Sequence, residues 1–169
     1  MTIARSLLPE FDQEMMATRA VLSAAAEEHG SFRPHPKSWT LGELGLHIAN
    51  LVSWLRLTLS SAEFDVDPEG ANRPSSPVYE SMAETLRRFE QNRDEARRAL
   101  ESATDEDLRA PWTLKNRGRV VFTMPRIACV RSFVLNHLIH HRGQLTVYLR
   151  LCGLAVPPTY GLTADNPAP

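Results

Sequence analysis

Residues 78–110 read VYESMAETLRRFEQNRDEARRALESATDEDLRA and contain no proline. Apolar side chains recur along this stretch at helical spacing, at Met82, Leu86, Phe89, Ala96 and Leu100. Because proline breaks helix interiors and is excluded from central strands, a long proline-free window is where one element can run. The pattern predicts an amphipathic helix that begins near Pro77 and ends between residues 102 and 105.

Three further proline-free windows, 10–33, 37–67 and 126–156, have the same character. The repeat of the first window includes Leu7, Phe11, Met15, Leu22 and Ala25. Four amphipathic helices in 169 residues, without the long alternating runs typical of strands, predict an all-α protein. We expect a four-helix bundle formed by a single domain over residues 1–169.

The second helix has a clear start signal. Thr40-Leu41-Gly42-Glu43 matches a capping box, in which the Thr hydroxyl and the Glu carboxylate each bind a free backbone N–H. Trp39 just before the cap and Leu44 after it are placed to form a hydrophobic staple. The fourth helix is expected to include Pro125 near its start and to stop near Gly153.

Two connections stand out. Residues 65–77 form a polar loop without periodicity that is long for a bundle, so we expect it to be functional or mobile. Residues 112–123 place β-type side chains on both sides of Asn116-Arg117-Gly118, which predicts a short hairpin before the last helix.

The overall composition excludes several classes of protein. With 19 Lys+Arg, 20 Asp+Glu and 43% hydrophobic residues, the chain is typical of a globular domain and has no net basic charge for nucleic acid. Its best uncharged run, Leu44 to Leu55, is too short to span a membrane. Acidic residues near the start, such as Glu10, argue against a signal peptide, so a cytoplasmic location is the default prediction.

The two cysteines predict a reduced protein. If Cys129 and Cys152 both lie on the fourth helix, about 1.5 Å of rise per residue places them roughly 34 Å apart. Because a disulfide requires Cα atoms within about 7 Å, these two residues cannot pair within one chain.

Three of the six histidines fall within five residues, at His137, His140 and His141. On a helix, His137 and His141 share one stripe with Gln144 and Tyr148, which borders the apolar core positions. Two imidazoles one turn apart can both present a nitrogen to one cation. His140 lies off that stripe, and we expect it to be exposed or to support the neighbouring rings.

His47 is the candidate for a third ligand, because it interrupts the apolar face of the second helix. Taken alone, it is equally explained as a core histidine that is hydrogen-bonded to a carbonyl. Together with His137 and His141 it favours a metal site, and three imidazoles would leave a coordination position open for water or substrate. The other two histidines, His29 and His35, are predicted to lie at the surface.

The segment from Asn136 to Leu145, NHLIHHRGQL, resembles the signature of the DinB/YfiT-like family. The stretch Trp39–Ala49 and the downstream segments 148–151 and 156–161 are similar to that family as well, so the resemblance spans nearly the whole chain. It implies an up-down four-helix bundle with a divalent metal on His47, His137 and His141.

The resemblance also implies a range of activities and a partner. Some members of the family are thiol-dependent transferases or isomerases that use low-molecular-weight thiols, many carry only the label of metal-dependent hydrolase, and homodimers are common. Zinc or nickel are the expected metals, with iron, manganese or copper as alternatives. The expected partner is a small-molecule substrate, with neither nucleic acid nor a membrane involved.

The supporting residues are less certain from the sequence. Glu43, Gln144 and Tyr148 are candidates to orient water or substrate, although capping explains Glu43 and a core-edge position explains the other two. Hydrolysis would also require a general base, for which Asp12 and Glu14 on the first helix are weaker candidates.

The charges are divided unevenly along the chain, because residues 108–164 contain eight basic and no acidic side chains. We expect this basic segment to pack against acidic neighbours. The alternative is an anionic substrate, such as a carboxylate-bearing thiol, that is guided by Arg126 or Arg131. The alternating charges of residues 84–101 predict a solvated face with ion pairs.

Three hypotheses therefore remain open. We favour a metal-dependent enzyme of thiol-transferase or hydrolase type. The others are a non-catalytic metal-binding stress protein and an interaction module with structural histidines.

Overall fold

The computed structural model describes residues 2–70 and 77–167, which form a mainly helical protein with a small sheet. The helices are α1 (Ile3–Ser23), α2 (Leu41–Leu51), α3 (Ser53–Ser60), α4 (Met82–Ser102), α5 (Asp105–Arg109), α6 (Arg126–Ala128) and α7 (Asn136–Leu151). Residues Cys129–Leu135 form π-helical turns that join α6 to α7 in one continuous rod. None of the helices in the described ranges is long and apolar enough to cross a bilayer.

The core lies between the long helices. Helices α1 and α2 each pack on both α4 and α7, and α3 also packs on α4, with buried apolar side chains between them. The predicted apolar repeats are confirmed as core positions, since Leu7, Phe11, Met15, Phe89 and Leu100 are all buried. Apolar burial of this extent is the main driving force that holds the histidine-bearing helices in register.

The predicted hairpin is present, but it belongs to a larger sheet. Strands β2 (Pro111–Asn116) and β3 (Arg119–Pro125) are antiparallel, and β1 (Glu63–Asp65) pairs in parallel with β2. The turn residues Arg117 and Gly118 have φ values of 51° and 72°, as a two-residue turn between right-twisted strands requires. The first residue of the predicted 65–77 loop, Asp65, is the last residue of strand β1. Residues 71–76 of that predicted loop lie outside the described part of the chain.

Several predicted boundaries were wrong. Helix α1 runs through Pro9, although the predicted window began after it. Helix α4 begins at Met82 and not near Pro77, because the Ser81 hydroxyl accepts the Glu84 N–H and caps the helix there. Pro125 closes strand β3 and immediately precedes α6.

Other boundaries were confirmed. The capping box forms as predicted: the Glu43 N–H donates to the Thr40 hydroxyl (3.1 Å), and the Thr40 N–H donates to the Glu43 carboxylate (2.7 Å). Helix α7 ends before Gly153, which has a φ of 73°. Both cysteines are free thiols.

The basic segment packs against acidic partners, as predicted. The exposed pairs include Arg131 with Glu10 (2.8 Å), while Arg142 and Glu14 form a buried pair at 2.7 Å with side chains only 2% and 8% exposed. Along α4 the charges also pair with one another, as in Arg87 with Glu84.

The C-terminal segment docks on that buried pair. The Tyr160 hydroxyl lies 2.7 Å from the Arg142 guanidinium and 2.9 Å from a Glu14 oxygen, and Arg142 also donates to the Thr18 hydroxyl. This network ties the segment after α7 to α1 and fixes the rotation of α7 next to the histidines.

Candidate metal centre

His137 and His141 lie one turn apart on α7, just after the π-helical turns. Their Nε2 atoms approach to 2.9 Å, and their ring centroids are 4.7 Å apart. A π-helical segment adds a residue per turn and commonly occurs at functional sites, where it changes the direction of the side chains that follow. The predicted pair is therefore brought together on one face.

His47 reaches the same point from α2. Its ring centroid is 4.6 Å from that of His141 and 5.3 Å from that of His137. One nitrogen from each of the three rings lies within 4.8 Å of the others. The Nε2 atom of His47 is buried and has no hydrogen-bond partner among the described residues. A buried polar atom without a partner is costly, and a ligand bound at this nitrogen would remove that cost.

The other two rings are oriented by their outer nitrogens. Nδ1 of His141 lies 2.7 Å from the Gln144 side-chain oxygen, which can only accept, and burial lowers the pKa of His137 while the Phe133 backbone raises it. A neutral imidazole has one N–H, so donation from the outer nitrogen leaves a lone pair on Nε2. The two Nε2 atoms, 2.9 Å apart, are also within hydrogen-bond distance of each other, and a cation held by both rings would replace that contact. The three rings therefore fit a metal ion, and the supporting contacts are those that metal-binding histidines commonly make.

Burial favours the neutral form of all three rings. Burial, with the neighbouring rings as a second cause, lowers the pKa of His47 from 6.5 to about 4. Burial also lowers the pKa of His137 and of His141, although the hydrogen bond from His141 to Gln144 partly opposes this shift. Neutral imidazole is the form that binds a metal.

We expect the metal-free protein to lose stability as the pH falls from 6.5 towards 4. In that range the unfolded chain binds a proton at residue 47 and the folded chain does not, so protonation favours unfolding. Urea denaturation at several pH values measures the slope. A His47→Leu variant should lose this part of the slope, and an unchanged slope in that variant would contradict the assignment.

Trp39 covers the cluster from outside and separates two open cavities. Its ring centroid lies 4.6 Å from His47 and 5.6 Å from His141. The Lys37 cavity, of about 410 Å³, is lined by residues that include Lys37, Ser38, Trp39, His141, Val147 and Tyr148. The Glu43 cavity, of about 390 Å³, is lined by residues that include Trp39, Glu43, Leu46, His47, Val78 and Tyr79.

The predicted supporting residues have different roles. Gln144 does contact a site histidine, as described above. Tyr148 donates to the Trp39 carbonyl (3.2 Å) and so holds the covering segment in place, while Glu43 caps α2. The hydrogen bond from the Thr40 backbone is the main cause that lowers the pKa of Glu43. The sequence indicated Trp39 only as part of a hydrophobic staple, and its contact with the histidine rings was not predicted. The only sequence signal was its position directly before the cap of α2.

The remaining candidates lie elsewhere. Asp12 pairs with Arg97 (2.9 Å), and Glu14 is held in the buried network, so the prediction that either serves as a base is not supported by these contacts. Arg126 donates to the carbonyls of Asp107 and Ser61, and Arg131 pairs with Glu10, so neither faces the three rings. His29, His35 and His140 lie outside the cluster, as predicted.

Comparisons with known proteins identify the family of this chain. The profile of the DinB superfamily matches residues 10–145. The uncharacterized protein YrdA of Bacillus subtilis (strain 168) is 25% identical over 157 residues, which cover 91% of this chain and 86% of that protein.

Two crystal structures are similar over nearly their whole length. A DinB-like protein from Bacillus cereus ATCC 10987 has a TM-score of 0.72 at 27% identity and covers 94% of this chain and 98% of its own. The DinB-like protein YjoA from Bacillus subtilis has a TM-score of 0.69 at 19% identity, with 92% and 97% covered, and shares the fold. The profile match and the shared fold establish that this chain belongs to the DinB superfamily.

Proposed function

We propose that His47, His137 and His141 hold one divalent cation within a four-helix bundle. The observation that carries this proposal is the buried, unpartnered Nε2 of His47, on a ring whose centroid lies 4.6 Å from that of His141 and 5.3 Å from that of His137. Three neutral imidazoles suit zinc or nickel, and iron, manganese or copper are alternatives.

We propose further that the site is catalytic. Among the described residues, the cluster contains no fourth histidine, cysteine or carboxylate, so the protein supplies three ligands. A cation on three imidazoles retains a position for water or substrate, and it lowers the pKa of a bound water or thiol towards neutrality.

The surroundings favour a thiol-dependent transferase over a hydrolase. Hydrolysis usually requires a general base within hydrogen-bond reach of the attacking water, and Glu43, the nearest carboxylate proposed for that role, is used to cap α2. A transfer reaction requires two reactants, and two cavities reach the histidines: the Lys37 cavity is lined in part by His141 and the Glu43 cavity in part by His47, while Trp39 lines both. Homodimer formation and a cytoplasmic location are further parts of this proposal.

Elemental analysis of the untagged protein tests the metal. We expect about one divalent ion per chain, removable with a chelator and restored by dialysis against the metal. Trace occupancy in protein that has been offered zinc and nickel would contradict the site and favour the interaction module.

A screen of small thiols against electrophilic acceptors tests the activity. The metal-loaded protein should exceed both free metal and metal-free protein in the rate of thiol addition. Full metal occupancy with no such rate would favour the non-catalytic metal-binding protein, and ester hydrolysis without thiol would favour the hydrolase.

A further inference from the structure

The two cavities beside Trp39 differ in charge. The residues that line the Lys37 cavity include one cationic residue, Lys37, and the hydroxyl-bearing Ser38. The Gln144 oxygen already bonds His141, which leaves the amide N–H groups of Gln144 as donors. Among the described residues that line this cavity, none is acidic. The Glu43 cavity, in contrast, includes a carboxylate.

The Lys37 cavity also has an apolar wall. Trp39, Leu44, Val147 and the Tyr148 ring contribute to it, and the volume of about 410 Å³ lies in the range of small-molecule sites. The Tyr148 hydroxyl donates to the backbone carbonyl of Trp39, which ties the segment that carries Trp39 to α7 at this cavity. An apolar wall with a few polar donors selects a ligand that has an apolar body and an acceptor at one end.

We propose that the Lys37 cavity binds an organic anion with a ring-sized apolar body, and that its carboxylate is attracted by Lys37. The proposal deepens the proposed function, on which it rests, because it assigns the anionic reactant to this side of Trp39, beside His141. The cationic guide is thus Lys37 and not Arg126 or Arg131, which are engaged elsewhere. The described residues that line the Glu43 cavity include no lysine or arginine, and the Glu43 carboxylate already pairs with Arg33 (3.4 Å), so that cavity offers the same anion no cationic partner.

Phenylacetate and its neutral counterpart phenylacetamide are the probes. Calorimetric or NMR titration of the untagged protein, both metal-free and zinc-loaded, should show phenylacetate binding more tightly than phenylacetamide. Added salt should weaken the binding of phenylacetate and leave that of phenylacetamide nearly unchanged, because salt screens exposed charges. Equal binding of the two probes would overturn the proposal.

Matched variants locate the bound anion. Lys37→Gln should weaken phenylacetate binding about threefold, as expected for one exposed charge. Lys115→Gln, at a lysine that pairs with Glu63 in the sheet, should have no effect. Val147→Trp should block the Lys37 cavity and abolish phenylacetate binding, whereas Val78→Trp, in the Glu43 cavity, should leave that binding unchanged. Both valines are exposed, so the larger side chain can be accommodated without repacking the core.

The outcomes separate this proposal from the metal site. Binding of phenylacetate that is unchanged by Val147→Trp, or lost in Val78→Trp, overturns the anion cavity whatever the metal content. If the protein fails to take up metal but metal-free protein binds phenylacetate with the expected variant pattern, the metal proposal fails and the anion cavity is supported.

Discussion

Replacing His47 with leucine is expected to abolish metal binding and, at the same time, to stabilise the metal-free protein. The Nε2 of His47 is buried without a partner, and such a group costs about 1–3 kcal/mol. Leucine has a similar volume and no polar atom, so the free energy of unfolding should rise by about 1 kcal/mol. Losing one of three ligands should weaken metal affinity by at least about a hundredfold. Urea denaturation and chelator competition measure the two effects.

His140→Leu is the matched control, because His140 is exposed on α7 and is not one of the three clustered histidines. Its ring only contacts that of His141 edge-on, with centroids 4.9 Å apart. It should keep the metal and change stability by less than about 0.5 kcal/mol. If His47→Leu retains the metal, or if its metal-free form unfolds more easily than the parent, His47 is a structural core histidine and the proposed site is wrong.

Arg142→Leu is expected to destabilise the protein by about 3–5 kcal/mol, because it leaves the Glu14 carboxylate buried without its cation. The loss also removes the donor to Thr18 and the contact with Tyr160. For a chain of this length, the melting temperature should fall by about 10 °C. Calorimetry and urea denaturation of the metal-free protein measure this directly.

Two variants control for this result. Arg97→Leu removes an exposed pair with Asp12 and should cost less than about 1 kcal/mol. The double variant Arg142→Leu, Glu14→Leu removes both buried charges and should recover most of the lost stability, because apolar residues often replace a buried ion pair at little cost. A loss in Arg142→Leu no larger than in Arg97→Leu would show that the buried network contributes little.

The histidine cluster could be predicted because its signals are local. His137 and His141 are one helical turn apart, so their convergence requires only that the segment be helical. His47 interrupts an apolar face, and any polar group there must find a partner. The alternative of a carbonyl partner could be decided only from the structure, in which the Nε2 of His47 lacks a hydrogen-bond partner among the described residues.

The helix boundaries were harder to predict because distant contacts determine them. Pro9 has no N–H, so the Arg5 carbonyl loses its backbone hydrogen bond within α1. Both residues are exposed, so water can donate to this carbonyl instead and the proline is tolerated. The later start of α4 depends on the local Ser81 cap and also on Glu27, whose carboxylate accepts from the Tyr79 hydroxyl and from the Met82 N–H. The contacts with Glu27 leave no signal in the local sequence pattern, whereas Ser81 and Glu84 have the spacing of a capping pair.

The short strand β1 and the burial of Arg142 were missed for the same kind of reason. Three residues are too few for a periodicity, and β1 forms because β2 offers a free edge beside it. An arginine in a basic segment is normally predicted to be exposed, and only the tertiary partner Glu14 makes its burial possible.

The placement of His47 on α2 and of its two companions on α7 has a consequence for how the protein is made. A growing polypeptide that has emerged through α2 carries one imidazole of the three, and the other two follow only after α7 has been synthesised. If the proposed ion binds, high-affinity chelation would therefore begin only after translation of α7, and the ion would cross-link α2 to α7. Loading with metal would then report that tertiary assembly is complete.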